Sequence, residues 1–397
     1  MIRPQIIGCG AAGNKAVINL VESGYLQEGK YDYLLVNSTD KDIPFDYRTN
    51  SMIFGDSSVG GCGKERTLGK RMILEDEKHG VRNIDDKINP YTEVVFVVGS
   101  TEGGTGSASI PIISKYIKSV LHIPVIAVLF FGFNDDARGM QNSIEICQEL
   151  PEDIGVISIC NSKFMESANG NKLKAERLAN GYFSILVREL CGIDIHESSQ
   201  NIDTTDLKKV LFTPGYMTIE SVLIKNCKNI DQVNKKIIDT LDNESHYMES
   251  PVKSAKRIAC IFNIKPDADY VDYSGSVFKE RYGIPYEYFT HVQDAHDSAE
   301  YITVIAAGQK LPTDEVKEIY DEYKRTTASI DKEKDNFFEE MNAMRGDPMD
   351  SMFNMFGTNT VKSSIEKDKD SFFKEFGMDI QPRTNSTSRK KDNTEEY

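Results

Sequence analysis

Residues 99–107 read Gly-Ser-Thr-Glu-Gly-Gly-Thr-Gly-Ser and are the stretch of this chain best equipped to hold an anion. Gly103, Gly104 and Gly106 let the backbone approach a ligand closely. Thr105 and Ser107 add hydroxyl donors. Ahead of the loop, Val94, Val95, Phe96, Val97 and Val98 form the unbroken apolar run of a strand buried on both faces. Behind it, Ile110, Ile113, Ile117, Val120 and Leu121 recur at helical spacing. A strand, a glycine loop and a helix whose first N–H groups lack intrahelical partners make a phosphate cradle. The plainer alternative is a tight strand-to-helix turn, which has no use for so many glycines and hydroxyls.

Two more glycine loops stand upstream. Gly8, Gly10 and Gly13 have the G-x-G-x-x-G spacing of a dinucleotide fingerprint, after a strand at Gln5-Ile6-Ile7 and before a helix carrying Val17, Leu20 and Val21. A dinucleotide enzyme would need an acid at the end of the next strand. That strand, Tyr33-Leu34-Leu35-Val36, ends in Asn37 instead. After Met52-Ile53-Phe54, residues 55–64 hold Gly60, Gly61, Gly63 and Lys64. A Walker loop is excluded, because it would need glycine at Ser58 and a hydroxyl residue at Glu65. Lys64 is either a phosphate partner or a solvated lysine at a helix start.

These loops need a scaffold. Val125 to Phe131 and Val156 to Cys160 supply further buried strands, ending at Asn134–Arg138 and Asn161. Strands alternate with helices through this half. That predicts a parallel sheet with helices on both faces and ligand loops at the carboxyl ends of the strands. Residues 172–191 read as one long helix able to bridge two domains. A polar segment, 194–206, follows, and then a helix with Leu207, Val210 and Leu211. Taken alone, Asp203 is an N-cap and Asp206 a first-turn acid. Strands at 216–224, 258–264 and 301–307, with an amphipathic segment at 231–241, give a separate α+β domain. From Thr313 a single apolar stripe, Val316 through Met344, predicts a helix of about nine turns that leaves the body, docks on the same protein or on a neighbour, and is stopped by Gly346 and Pro348. A Met/Phe/Asn stretch, a short helix near 365–376 and a polar, locally basic, disordered end complete the chain.

The 397 residues exceed one small core. A composition 39% hydrophobic and 27% charged suits a soluble globular protein with polar appendages. The formal net charge of −15 fits poorly with direct binding to nucleic acid or an anionic membrane. The seven cysteines are scattered without C-x-x-C, which argues for a reducing compartment and against a disulfide frame or zinc site. Neither a signal-peptide core near Met1 nor an apolar run long enough for a bilayer is expected.

Taken together, the loops resemble the tubulin/FtsZ GTPase superfamily over about residues 1–311. Gly103-Gly104-Thr105-Gly106-Ser107 resembles the G-G-G-T-G-S/T-G signature, with Glu102 and Ala108 at its glycine positions. Gly10-Ala11-Ala12-Gly13-Asn14 is similar to the first nucleotide loop, whose closing Asn contacts guanine. Gly60-Gly61 resembles the third loop. Phe133 and Arg138 keep the F-E-G-x-x-R spacing of the sugar loop, where Asn134 and Asp135 replace Glu and Gly. Asn161 opens an N-D/E-K-like loop. Asn180 falls at the base-reading position on the central helix, with Glu176 where an aromatic usually stacks. Asn201, Asp203 and Asp206 match the N-x-D-x-x-D catalytic loop.

The resemblance implies a Rossmann-like GTP-binding domain over 1–171 and a central helix with catalytic loop over 172–206. An α+β activation domain would cover 207–311, a long helix 312–346 and a flexible tail 347–397. It implies GTP or GDP with Mg²⁺, held by Gly10, Ala11, Ala12, Asn14, Asn37, Gly60, Gly61, Gly103, Gly104, Thr105, Gly106, Ser107, Asn134, Arg138, Asn161 and Asn180, with no metal ligand assigned from the protein. Asp203 and Asp206, with Asn201, would complete the site of the next subunit in a head-to-tail filament. The tail arrangement looks like the plasmid and phage partition (TubZ) branch. That implies a cytoplasmic filament, a DNA-binding adaptor of TubR type on the C-terminal tail, and no direct contact with DNA or membrane. A division or phage-positioning filament, an NAD-dependent oxidoreductase and a non-hydrolysing homologue are the alternatives.

Overall fold

The computed structural model describes residues 2–55, 60–192, 204–224, 226–243, 245–248, 252–264, 274–294 and 300–327, together with Phe372 and Glu375. The first half alternates as the apolar runs require. Strand β1 (Pro4–Cys9) leads directly into helix α1 (Gly10–Ser23). Strands β2 (Asp32–Asn37) and β3 (Ser51–Ile53) precede α2 (Arg66–Glu75). Strand β4 (Val94–Ser100) feeds α3 (Gly104–Tyr116), which ends in a wide turn (Ile117–Leu121). Strand β5 (Val125–Phe131) is followed by α4 (Ala137–Glu149), and β6 (Gly155–Cys160) by the long α5 (Lys172–Gly192). The second half runs α6 (Thr204–Leu211), β7 (Gly215–Leu223), α7 (Ile230–Asn243), β8 (Arg257–Ile264), α8 (Ser274–Arg281), β9 (Glu287–Asp294), β10 (Tyr301–Gln309) and α9 (Thr313–Thr327).

The described strands form one sheet in the order β3-β2-β1-β4-β5-β6-β7-β10-β8-β9. Its first six are parallel and doubly wound, with the order reversing between β1 and β4. Such a reversal opens a crevice at the carboxyl ends of the strands. The strands of the second half continue the same sheet. The junction is thin: β6 and β7 share only Gly155↔Gly215 and Val156↔Tyr216. Beyond it β10 pairs antiparallel with β7 and β8.

Alternate side chains of each strand feed opposite faces. Ile6, Phe96, Val98 and Val128 pack with Ala16, Val17, Leu20, Phe183 and Leu186 of α1 and α5. Ile7, Val95, Val97 and Ala127 pack with α2, α3 and α4. Ile319 and Tyr323 join this second core, so the described part of the C-terminal helix lies on the body instead of leaving it. Phe372 is also buried there and meets Tyr116 edge-on at 5.1 Å between ring centroids. The expected continuation of α9 to about residue 345 lies outside the described residues.

Candidate nucleotide site

Cys9 and Gly99 are register partners, so the loops after β1 and β4 leave the sheet at the same level. The first enters a helix at once, at Gly10, and the second after three residues, at Gly104. The two helix N-termini therefore lie side by side, each with orphan N–H donors and a positive dipole end. Gly10 has φ +70°, and a Cβ there would stand 2.8 Å from the amide nitrogen of Gly106. Any other residue at position 10 would push these two backbones apart and open the cradle. This is the arrangement that takes a polyphosphate.

The hydroxyls of the loop are otherwise engaged. Ser107 Oγ donates to the Gly103 carbonyl, and Thr105 Oγ1 shares a 2.8 Å hydrogen bond with Ser38 Oγ under the loop. The anion donors are thus the backbone amides of the first turn of α3, and the side chains of Thr105 and Ser107 brace them. Gly103 is the N-cap of α3 in extended conformation, with open space where its Cβ would be.

Pro111 lies inside α3 and cannot donate to the carbonyl four residues back, which belongs to Ser107. Arg66 Nη2 of α2 donates to that carbonyl at 3.1 Å. The guanidinium is almost wholly buried and also pairs with Glu145 at 2.6 Å and Glu149 at 2.5 Å, on successive turns of α4. One side chain fastens three helices behind the cradle. Sequence reading missed Arg66; the signal was a proline within an apolar helical stripe.

In front of the cradle, the 60–65 loop is stapled to α4. Lys64 pairs with Asp136, the N-cap of α4, and Arg138 pairs with Glu65. Asn142 Nδ2 reaches the carbonyls of both Lys64 and Glu102 at 3.0 Å. The Lys64 ammonium holds the Asp136 carboxyl below its usual range. All four charged side chains are about half exposed, so each pair contributes about 1 kcal/mol or less. A phosphate could displace the carboxylates at little cost. Gly60 and Gly61 precede the staple, both with positive φ.

The remaining expected contacts divide. Ala11 and Ala12 lie in the first turn of α1 at the cleft, half-buried and exposed respectively. Asn134, with φ +56°, and Arg138 are exposed at the end of β5. Lys172, at the start of α5, pairs with Asp135 and sits 5.2 Å from the Phe133 ring centre, joining α5 to this loop. Asn180 is half-buried on α5, where its carbonyl accepts from Ser184 Oγ; the same hydroxyl contacts Asn19 of α1. Asn161 follows β6, and its buried Oδ1 has no hydrogen-bond partner among the described residues.

Two of the expected contact residues are buried. Asn14 is fully buried beneath its loop, with Nδ2 toward the Val36 carbonyl at 3.4 Å and Oδ1 unpaired among the described residues. A Cβ on Gly13 would lie 2.2 Å from the Val98 carbonyl oxygen, so α1 packs closely on β4 beside Asn14. Asn37 is also buried, accepting from the Ser38 amide and donating toward Asp42 at 3.4 Å, which shapes the loop after β2.

Asn201 and Asp203 lie outside the described residues. Asp206 sits in the first turn of α6, half-buried and paired with Lys209 at 2.8 Å. Next to it in sequence, Lys208 bonds Glu93 at 2.6 Å. Glu93 immediately precedes β4, and Gly215, just past α6, bonds the Ile154 carbonyl just before β6. So α6 borders the amino ends of the strands. The phosphate cradle is at their carboxyl ends, one strand of 7 residues or about 20 Å away. The 21-residue α5, about 30 Å long, carries the chain from one end to the other.

Residues 5–169 match the Tubulin/FtsZ family, GTPase domain. The chain carries a GTPase domain of the tubulin/FtsZ family. The tubulin-like protein CetZ of Pyrococcus furiosus is 25% identical over 268 residues, 64% of this chain and 70% of that one. The cell division protein FtsZ of Methanothermobacter thermautotrophicus is 26% identical over 219 residues, 54% and 55% of the two chains. In fold, a GTPγS-form protofilament of Bacillus thuringiensis serovar israelensis TubZ superposes with TM-score 0.65 at 16% identity, covering 83% of this chain and 95% of that one. GTP is the nucleotide of such a domain, with Mg²⁺ as its ion. The paired helix N-termini fit the phosphates. Among the described residues no group of three or more His, Cys, Asp or Glu is placed to enclose a metal, so Mg²⁺ would be held chiefly through phosphate oxygens and water. No described helix is long and apolar enough to cross a membrane.

Proposed function

We propose that this protein assembles head to tail and hydrolyses GTP at each contact between copies. The observation that carries the proposal is the separation just described. Asp206, in the first turn of α6, borders one end of the sheet, and the phosphate cradle opens at the other. A carboxylate about 20 Å from the cradle cannot act on its own chain's γ-phosphate. It can act on that of a copy stacked on the same axis.

In such a contact the amides of Gly104, Thr105, Gly106 and Ser107, with those of Gly10, Ala11 and Ala12, hold the phosphates. Lys64 and Arg138 leave their carboxylate partners and turn to the same charge. Mg²⁺, held there through phosphate oxygens and water, would supply neutralisation of the phosphate charge. Asp203 and Asp206 of the neighbouring copy, oriented by Asn201, align a water and accept its proton. Asn180 contacts the base from α5, and Asn161 with its buried unpaired oxygen lines the same end of the sheet. Asn14 supports the loop from below.

The Asp206→Ala variant should bind GTP with wild-type affinity and lose turnover by at least about 100-fold, the scale of a lost general base. Nucleotide-binding titration beside phosphate release separates the two quantities. Wild-type turnover in this variant would remove Asp206 from the chemistry.

Within the family we infer the partition role, with residues 383–397 engaging a DNA-binding adaptor of TubR type. The short basic end on a chain of net charge −15 supports contact with DNA through an adaptor. The CetZ and FtsZ names of the relatives favour a second reading, a filament for cell division or positioning. Capture on the immobilised 383–397 peptide distinguishes them: a DNA-binding protein supports partition, a septal protein the second reading.

A further inference from the structure

Glu102 stands where the phosphate-loop signature has glycine, and an acid beside a polyphosphate needs a reason. The structure turns its carboxyl away from the cradle. Gly132, at the end of β5, and Gly139, in the first turn of α4, leave a notch that the side chain fills. A Cβ on Gly132 would lie 2.2–2.4 Å from the carboxyl atoms, and one on Gly139 would lie 3.2–3.4 Å from Cβ, Cγ and Cδ. Oε1 accepts the Asn134 amide at 2.9 Å. The Glu102 carbonyl is fixed by Asn142. Residue 102 is thereby held at both its backbone and its carboxyl.

The carboxyl thus lies at the 132–134 turn, one strand over from the phosphate amides. Oε2 takes no hydrogen bond among the described residues. An ionised oxygen at the lip of a nucleotide cleft attracts a donor and repels phosphate. Of the parts of a nucleoside triphosphate, the sugar is bonded directly to the phosphates and carries two hydroxyl donors. The base lies farther off, toward α5. Asn134, the exposed residue of this turn, offers a neutral amide, and Arg138, which turns to phosphate in the reading above, is a donor only and cannot accept from a hydroxyl.

We propose that Glu102 accepts a hydrogen bond from a sugar hydroxyl of the bound nucleotide and so makes the site discriminate against nucleotides that lack that hydroxyl. The assignment rests on the GTP reading above. The acid that recognises the sugar reaches the sugar loop from the phosphate loop.

The test is equilibrium competition binding of GTP, 2′-deoxy-GTP and 3′-deoxy-GTP to the full chain in the presence of Mg²⁺. Wild type should prefer GTP to at least one deoxy analogue by roughly 10-fold or more, the scale of a hydrogen bond to a charged group. In Glu102→Gly that preference should vanish, and Glu102→Gln should keep part of it. Gly132→Ala should also abolish it by expelling an intact carboxylate from the notch, so loss of the side chain and loss of its place are tested separately. GTP binding with no preference in wild type, or an undiminished preference in Glu102→Gly, overturns the assignment. Failure of wild type to bind GTP at all would overturn the GTP reading and this assignment with it.

Discussion

Burial pushes the Glu102 carboxyl above the usual glutamate range, against the opposing effects of the Asn134 amide and Lys64; Asp136 and Asp135 add to the rise. A carboxyl whose folded pKa is raised binds protons more readily folded than unfolded. Its favourable contribution is fully present below the unfolded value, about 4.3, and is lost as pH rises through the folded value. At neutral pH the ionised group therefore costs stability. Glu102→Gln removes that cost and keeps an oxygen for the Asn134 amide. The variant should melt above wild type near pH 7 without nucleotide, with the difference shrinking as pH falls toward 4.5. Melting curves across that range check it, and a variant less stable at every pH would contradict it. The same residue shows what sequence alone conveys. That position 102 departs from a glycine pattern is legible; that its carboxyl crosses to another loop depends on Gly132 and Gly139, which only the fold brings there. Asn14 is a further case: its type suits a base contact, and only the fold shows that it is fully buried beneath its loop.

Among the elements, the α2–α3–α4 clasp behind the cradle gives a second test. Arg66→Ala orphans the Ser107 carbonyl and frees two glutamates at once. Loss of hydrogen bonds to a buried charged group should cost about 2–3 kcal/mol. Pro111→Ala restores an amide to the same carbonyl, so the double variant should recover part of the loss; chemical denaturation of the single and double variants reads this directly. Additive losses would mean that the carbonyl contact is immaterial. Most strands were legible because β1, β4, β5 and β6 are apolar runs buried on both faces, which only a covered parallel sheet explains. Strand β9 was not: Glu-Tyr-Phe-Thr-His-Val-Gln-Asp is a half-polar edge strand paired only with β8. Helix α2 was missed because its outer face is mostly charged and its buried residues include Arg66 and Gly69. The stripe after Thr313 was read correctly as a helix, but amphipathicity does not name the surface it covers. Ile319 and Tyr323 settle on the GTPase domain because its second core includes them.

At the scale of the molecule, the decisive property is polarity. Parallel strands put every glycine loop at one end of the sheet, and α5 delivers α6 to the other. On the function proposed above, each end of such a chain would carry half of a hydrolytic site, and two copies stacked along the strand axis would make one whole site. The β6–β7 junction joins these halves through two register pairs, and a shared hydrophobic core, the Cys160–His246 and Gly215–Ile154 backbone bonds and the Lys208–Glu93 pair join them further. Hydrolysis should then be a property of the contact between copies. The most direct measurement is GTP turnover per molecule as a function of protein concentration, with sedimentation of the same samples. The account predicts a threshold below which turnover is negligible and above which turnover and pelletable polymer rise together. Full turnover per molecule in dilute protein that does not sediment would contradict it and place the whole site within one chain.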